Sequence, residues 1–568
     1  MSGGPVSGGP VNLVEIESLT VRYRGGDRPA VRSADLAVGA KEKLAIVGES
    51  GSGKTTVANA IMGLLPADAE IAGRITLNGL ELAGLGEPAW RGVRGRRVGY
   101  IPQDPMLSLN EVASIGSHFK ETILAHRLAP RAGWRELAAQ RLAEVGLEDP
   151  ERILRQYPHQ LSGGMRQRAL IALAVLARPE LIIADEPSSA LDVIVQKHVL
   201  DLLGELRAKL GCSLILITHD LGLVADRSDR VAVMKDGQVV ETGATDQVIT
   251  RPEHPYTREL LQAVPKLSSF RQRETLAELD GTDAVVAVDG LVKDFKLRRS
   301  KTDAPGRSAS RTLRAVDHVD LAIRRGQRGE CVALVGESGS GKSTVAKLIL
   351  GLDKPTAGAI RLGGFESHRL TKRERRRRAA RIQVVFQDPY ASLDPQFTVA
   401  RTLAEPLVIH RARADGRGVA DGGGRVGNRA RAARQARIKE LIGLVGLPES
   451  VLGRYPNELS GGQRQRVAIA RALALEPDVL LLDEAVSALD VIVQAQVLDT
   501  LRGLRRRLGL SMLFITHDLA VVSEIADRVA VIKNGRIVEL GPVAEVFERP
   551  SHPYTRELLA AVPGQAHF

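Results

Sequence analysis

Cysteine is nearly absent, with two residues in a chain of 568. That excludes a disulfide scaffold and leaves too few thiols for a cysteine-held zinc or iron–sulfur site. Both stand just ahead of apolar runs, Cys212 before Leu214-Ile215-Leu216-Ile217 and Cys331 before Val332-Ala333-Leu334-Val335. They are expected to be buried thiols at strand starts, in a reducing compartment. Long uncharged apolar runs are also missing; none reaches the ~18 residues that a bilayer-crossing helix needs. Met1–Pro10 is rich in Gly and Pro and lacks a signal-peptide core. A soluble or peripheral protein is expected, not itself a membrane pore.

What is present is ordinary globular composition, 44% hydrophobic and 26% charged, over a length that implies two or more domains. The net charge of +12 invites a nucleic-acid or anionic-membrane reading. Its placement argues otherwise. Lys372–Arg381 holds seven Lys/Arg against the single acid Glu374, and Arg411–Arg437 holds eight Arg against Asp415 and Asp421. These two segments carry the whole excess, so the charge is local: solvated loops and helix faces, with no nucleic-acid partner expected.

The chain repeats itself. His254-Pro-Tyr-Thr-Arg-Glu-Leu-Leu returns at His552, Ile217-Thr-His-Asp-Leu at Ile515, Leu161-Ser-Gly-Gly at Leu459, and Gly48-Glu-Ser-Gly-Ser-Gly-Lys at Gly336. The second copy is longer between its first and later motifs, and the Gly/Arg-rich stretch Asp415–Arg434 is the insertion, expected to be a mobile surface loop. The boundaries are then a flexible tail 1–10, a first domain 11–265, a linker 266–284, a second domain 285–563 with its insertion near 411–437, and a tail 564–568. Apolar runs of four, such as Leu44–Val47, Leu181–Ala184 and Val479–Leu482, alternate with helical stretches. Such runs fit a mostly parallel sheet covered on both faces. Helix formers dominate Pro105–Ala177 and Pro389–Leu475, a helical subdomain inserted in each α/β copy.

Gly48-x4-Gly53-Lys54-Thr55 and Gly336-x4-Gly341-Lys342-Ser343 each follow an apolar strand and open a helix. A bare glycine loop lets backbone N–H groups face a polyphosphate, the helix start adds positive charge, lysine reaches the β/γ-phosphates, and the hydroxyl holds Mg²⁺. Ser50, Gly51 and Thr56, with Ser338, Gly339 and Thr344, complete the two loops. Asp185-Glu186 and Asp483-Glu484 end apolar strands; the Asp supports the metal and the Glu polarises the attacking water. His219 and His517, each after a strand, are candidates for a γ-phosphate contact rather than structural histidines. Gln103 and Gln387 are candidate ligands to Mg²⁺ or water through their carbonyl oxygens. Ser162-Gly163-Gly164-Met165 and Ser460-Gly461-Gly462-Gln463 precede long helices and read either as ordinary N-caps or as a second anion site.

With these motifs in this order, each copy resembles the nucleotide-binding domain of an ABC transporter, over roughly residues 11–265 and 285–563. The resemblance implies two tandem P-loop NTPase domains with a small antiparallel part in each. It also implies ATP and Mg²⁺ as cofactors and two ATP sites shared head to tail, here an intramolecular pseudo-dimer. One site would use Lys54, Thr55, Gln103, Asp185, Glu186 and His219, closed by Ser460, Gly461, Gly462 and Gln463. The other would use Lys342, Ser343, Gln387, Asp483, Glu484 and His517, closed by Ser162, Gly163 and Gly164. Tyr23 and Phe295 stand where that family stacks an aromatic on adenine, and Asp192 and Asp490 match the loop coupling the sites. Met165 replaces the usual Gln, and Ala485 stands where Pro187 follows Glu186 in the first copy; neither removes a phosphate donor or the carboxylate, so both sites are expected to hydrolyse ATP.

The repeated His-Pro-Tyr-Thr-Arg-Glu-Leu-Leu tail is similar to that of oligopeptide, dipeptide and nickel importer ATPases. That implies a fused ATPase powering peptide uptake, with two permease subunits and an extracytoplasmic solute-binding protein as partners. Its place would be the cytoplasmic face of the cell membrane. The alternatives are import of nickel or another small solute, and a soluble translation-factor-type ABC protein.

Overall fold

The computed structural model describes the chain apart from residues 1–11, 27, 105–107, 189–190, 273–282, 297–311, 327, 367–369, 411–427, 488, 566 and 568. Two compact units result, one built on the elements from Asn12 to Ala263 and the other on those from Ala284 to Ala560.

In the first unit the strands are β1 (Asn12–Arg22), β2 (Val31–Gly39), β3 (Lys43–Val47), β4 (Glu70–Leu77) and β5 (Leu80–Glu81). They continue with β6 (Val98–Ile101), β7 (Leu181–Asp185), β8 (Ser213–Thr218), β9 (Arg230–Lys235) and β10 (Gln238–Ala244). β2-β1-β4-β5 form an antiparallel sheet, and β10-β9-β3-β8-β7-β6 a second sheet, parallel except for the β9–β10 pair. Successive residues of β8 serve opposite faces, as the period of a strand requires. Leu214 and Leu216 join Phe119, Ile123 and Leu142 of the helical part, whereas Ile215 and Ile217 join Val14, Val38 and Ile61. Both faces being covered, every position had to be apolar, hence the unbroken runs. Among the described residues the α-helices Ile115–Ala125, Trp134–Glu144, Pro150–Arg155 and Gly163–Ala174 are inserted between β6 and β7.

The second unit repeats the plan with β11 (Ala284–Lys296), β12 (Thr312–Arg324), β13 (Cys331–Val335), β14 (Ala357–Leu362) and β15 (Phe365–Glu366). Its remaining strands are β16 (Ile382–Val385), β17 (Val479–Asp483), β18 (Ser511–Thr516), β19 (Arg528–Lys533) and β20 (Arg536–Pro542). The sheet orders are β12-β11-β14-β15 and β16-β17-β18-β13-β19-β20. Cys212 and Cys331 are buried thiols, just before β8 and at the start of β13. Among the described residues no helix is long and apolar enough to cross a membrane.

One expectation needs correction. Residues 411–427 of the expected loop lie outside the described residues, but Asn428–Leu444 is a helix. Its Ala/Arg/Gln-rich start is strongly helix-forming, and buried Ile438, Leu441 and Ile442 anchor its end. The basic segment Lys372–Arg381 is the expected solvated helix face, except at one arginine. It is a helix opened by a Thr371–Glu374 capping box, and its Arg378, 4% exposed, donates to the carbonyls of Ile349 and Leu350.

Candidate active sites

The glycine loop of the first unit leaves the end of β3 and enters the helix Lys54–Met62. Glycine is required where the loop is squeezed: a Cβ on Gly48 would lie 2.1 Å from the Met234 carbonyl oxygen, and one on Gly53 2.7 Å from that of Ala30. Lys54, buried, turns back and donates to the carbonyls of Gly48 and Glu49, both at 2.8 Å. The helix has no side-chain cap and no acid in its first turn, so its positive end is uncompensated. Ser50, Gly51 and Thr55 are exposed on the rim.

Three motifs far apart in sequence converge beside this loop. At the end of β7, Glu186 takes φ 45° and its N–H donates to the Ile217 carbonyl at 2.8 Å, turning its side chain off the strand line. Its carboxylate accepts from Gln103 Nε2 at 2.8 Å and meets His219 Nδ1 at 3.1 Å. Burial would raise the Glu186 carboxyl, but His219 and Lys54 hold it below its ordinary value. Burial would lower the His219 imidazole, and Glu186 outweighs it, leaving that group raised. Burial pushes Lys54 down against the pull of Glu186 and Asp185.

Asp185 is 2% exposed, and burial pushes its carboxyl up. Tyr100 Oη lies 3.4 Å from its Oδ2 and the Thr55 hydroxyl opposes that rise, while its Oδ1 is buried without a partner. An orphaned carboxylate oxygen beside a hydroxyl fits Mg²⁺, which takes few protein oxygens and leaves the rest of its shell to water and phosphate. Among the described residues no three His, Cys, Asp or Glu form a metal cage.

The second unit reproduces the arrangement. Lys342 donates to Gly336 and Glu337 carbonyls at 2.7 and 2.8 Å, and Gln387 Nε2 to Glu484 at 2.7 Å. His517 Nδ1 stands 3.5 Å from Glu484, whose φ is 48°. The bond from His517 holds the Glu484 carboxyl below its ordinary value, and burial pushes Asp483 up. Val384 occupies the strand position of Tyr100, so Asp483 has no tyrosine at that position.

The other candidates lie elsewhere. Tyr23 Oη is 3.2 Å from Thr56 Oγ1, at the loop's helix; Phe295, its counterpart, is exposed with Lys293 over its ring at 4.9 Å. Ser162 and Ser460 cap the helices Gly163–Ala174 and Gly461–Leu473, accepting from the N–H of Met165 and of Gln463, each at 3.3 Å. These caps belong to the helical insertions, not to the strand ends that carry Lys54 and Lys342. Besides Tyr100, two tyrosines were missed at the sequence level. Tyr256 and Tyr554 contact the loops through the repeated tail, and only the recurrence of His-Pro-Tyr could have flagged them.

Paired glycine loops, strand-end Asp-Glu pairs and converging Gln and His define a P-loop ATPase of cassette type. A family model described as "ABC transporter" matches residues 31–189 and 316–487, and one described as "Oligopeptide/dipeptide transporter, C-terminal region" matches 240–289 and 538–566. The glutathione import ATP-binding protein GsiA of Escherichia coli (strain K12) is 42% identical over 97% of this chain and 90% of its own length. That of Pectobacterium atrosepticum is 41% identical over 97% and 89%. Among solved structures, the dimeric cassette MJ0796 bound to ADP and Pi covers 45% of this chain and 98% of its own, at 30% identity and a TM-score of 0.37. The chain belongs to the ABC transporter family. It is a fused tandem ATPase whose two copies both bind ATP and carry the peptide-transporter tail region.

Proposed function

We propose that this chain powers uptake of small peptides through two separate permease subunits, peripheral to the cytoplasmic face of the membrane. An extracytoplasmic solute-binding protein would deliver the substrate. The observation that carries this reading is the tail region, matched in both copies; the glutathione importers named above, glutathione being a tripeptide, support it. The two copies are read as domains 11–265 and 285–563, each lending its signature serine and glycines to close the other's ATP site.

In each site Lys54 or Lys342 and the loop amides would hold the phosphates. Thr55, Asp185 and Gln103, or Ser343, Asp483 and Gln387, would hold Mg²⁺, which on binding neutralises phosphate charge. Glu186 and Glu484, kept ionised by their histidines, would accept the proton of the attacking water. His219 and His517 orient those carboxylates and would contact the γ-phosphate. The glutamines, bonded to the same carboxylates, would tie the site to the permease contact beside them.

Affinity purification of the full chain from native membranes tests this reading. Two copurifying permeases and a solute-binding protein are expected; ribosomes in their place would overturn it. Chelation of Mg²⁺ should abolish ATP hydrolysis and its return restore it.

A further inference from the structure

The motif that identifies the tail also has a place in each unit, and it reaches the phosphate loop. In the first unit the Glu241 carboxylate on β10 accepts the backbone N–H groups of Glu253 and His254 at 2.8 and 3.0 Å. His254 Nδ1 then accepts from the Tyr256 N–H at 3.2 Å and caps the helix Pro255–Ala263. This fixes Tyr256, 2% exposed, with Lys235 4.3 Å over its ring. Its hydroxyl accepts the N–H of Glu49 at 3.1 Å, the residue between Gly48 and Ser50 of the loop.

The second unit builds the same strap. Glu539 accepts from Ser551 and His552 at 2.8 and 3.1 Å, His552 caps Tyr554 at 3.1 Å, and Lys533 lies 4.1 Å over the ring. Tyr554 Oη accepts the Glu337 N–H at 2.9 Å. The two straps share Arg-Pro-x-His-Pro-Tyr and differ within it only at Glu253 against Ser551, and both deliver the same atom to the same amide.

We propose that Tyr256 and Tyr554 are positioning residues for ATP binding: each tethers the entry of its phosphate loop, so that the amides beyond it face the phosphates before nucleotide arrives. The geometry favours this over mere packing. A buried ring alone would fill the space, whereas the hydroxyl is spent on a loop amide that no sheet or helix bond satisfies. Preorganisation of this kind improves affinity by removing the ordering cost from the binding step. The inference rests on the reading of these loops as phosphate cradles.

The test uses the full chain carrying Tyr256→Phe and Tyr554→Phe together, which keeps both rings and removes both hydroxyls. Loss of one hydrogen bond per loop should raise KM for ATP about threefold to tenfold, with kcat changed less than about twofold. In the nucleotide-free protein, amide hydrogen exchange over residues 48–53 and 336–341 should quicken by a similar factor. Unchanged KM with unchanged exchange would overturn the tether, as would a fall in kcat at constant KM. Lys54→Ala and Lys342→Ala serve as the separate control. If ATP binds them as well as wild type, the phosphate-cradle reading fails, while the exchange measurement still decides whether the tyrosines hold the loop.

Discussion

Glu186 and Glu484 hold backbone conformations, φ 45° and 48°, that non-glycine residues seldom adopt. Each is fixed by its own N–H bond across to the neighbouring strand and by Gln and His on its carboxylate. Converting either acid to Gln keeps the shape and removes the proton acceptor. Each single variant should lose part of the turnover, and the double variant about 10²- to 10⁴-fold. Full activity in Glu186→Gln beside none in Glu484→Gln, measured as phosphate release, would mean only one site works. The histidine has its own signature. His219 is raised above 6.5, so its contribution to stability is fully present below that value and is lost as pH rises through the folded value. Glu186 is held below 4.5, so its share is present above 4.5 and is lost as pH falls through its folded value. The pair therefore stabilises most between 4.5 and 6.5. Removing the partner as His219→Ala should lower the melting temperature of nucleotide-free protein more at about pH 6 than at about pH 8.5; an equal loss at both would deny the ion pair. These motif residues were legible because their chemistry sits in contiguous words. Tyr100 and Tyr256 were not, since a hydroxyl's partner some 85 or 207 positions away is set only by the folded path.

At the scale of elements, the buried strands announced themselves as apolar runs and the helical insertions by their helix formers. Strand order did not, because β3 has β8 and β9 as neighbours although both follow far along the chain. The helix Asn428–Leu444 was hidden by its arginines, whose propensity is high though their hydropathy suggests a loop. The signature helices show how one residue changes an element's end. Ser460 and Gln463 form a reciprocal capping box, with Gln463 Oε1 accepting the Ser460 N–H at 3.1 Å. Met165 has no acceptor to offer Ser162 in the first unit. Met165→Gln should therefore stabilise the first unit by about 0.5–1 kcal/mol, and Gln463→Met should destabilise the second by a like amount. Denaturant unfolding checks both; a destabilised Met165→Gln would show that the methionine's packing outweighs the cap.

For the whole molecule, duplication matters more than any one site. Two intact loops, two acid pairs and two signature serines on one chain allow pockets that are each completed by the other copy, and the proposed function depends on that exchange. It has a consequence that a self-contained pocket lacks: damage to a signature should silence the loop of the opposite copy. Ser162→Arg should abolish vanadate-trapped nucleotide at the Lys342 loop and spare the Lys54 loop, and Ser460→Arg should do the reverse. Photolabelling with an azido-ATP analogue, followed by mapping of the labelled copy, reads this directly. The serines are exposed helix N-caps, so each arginine costs about 1 kcal/mol of helix stability, and a melting curve of each variant separates a lost label from unfolding. Loss of label in the same copy as the mutated serine would place each ATP site within one unit and end the shared-pocket reading. The ATPase would remain, but closure of one copy on the other could no longer be what drives the permeases.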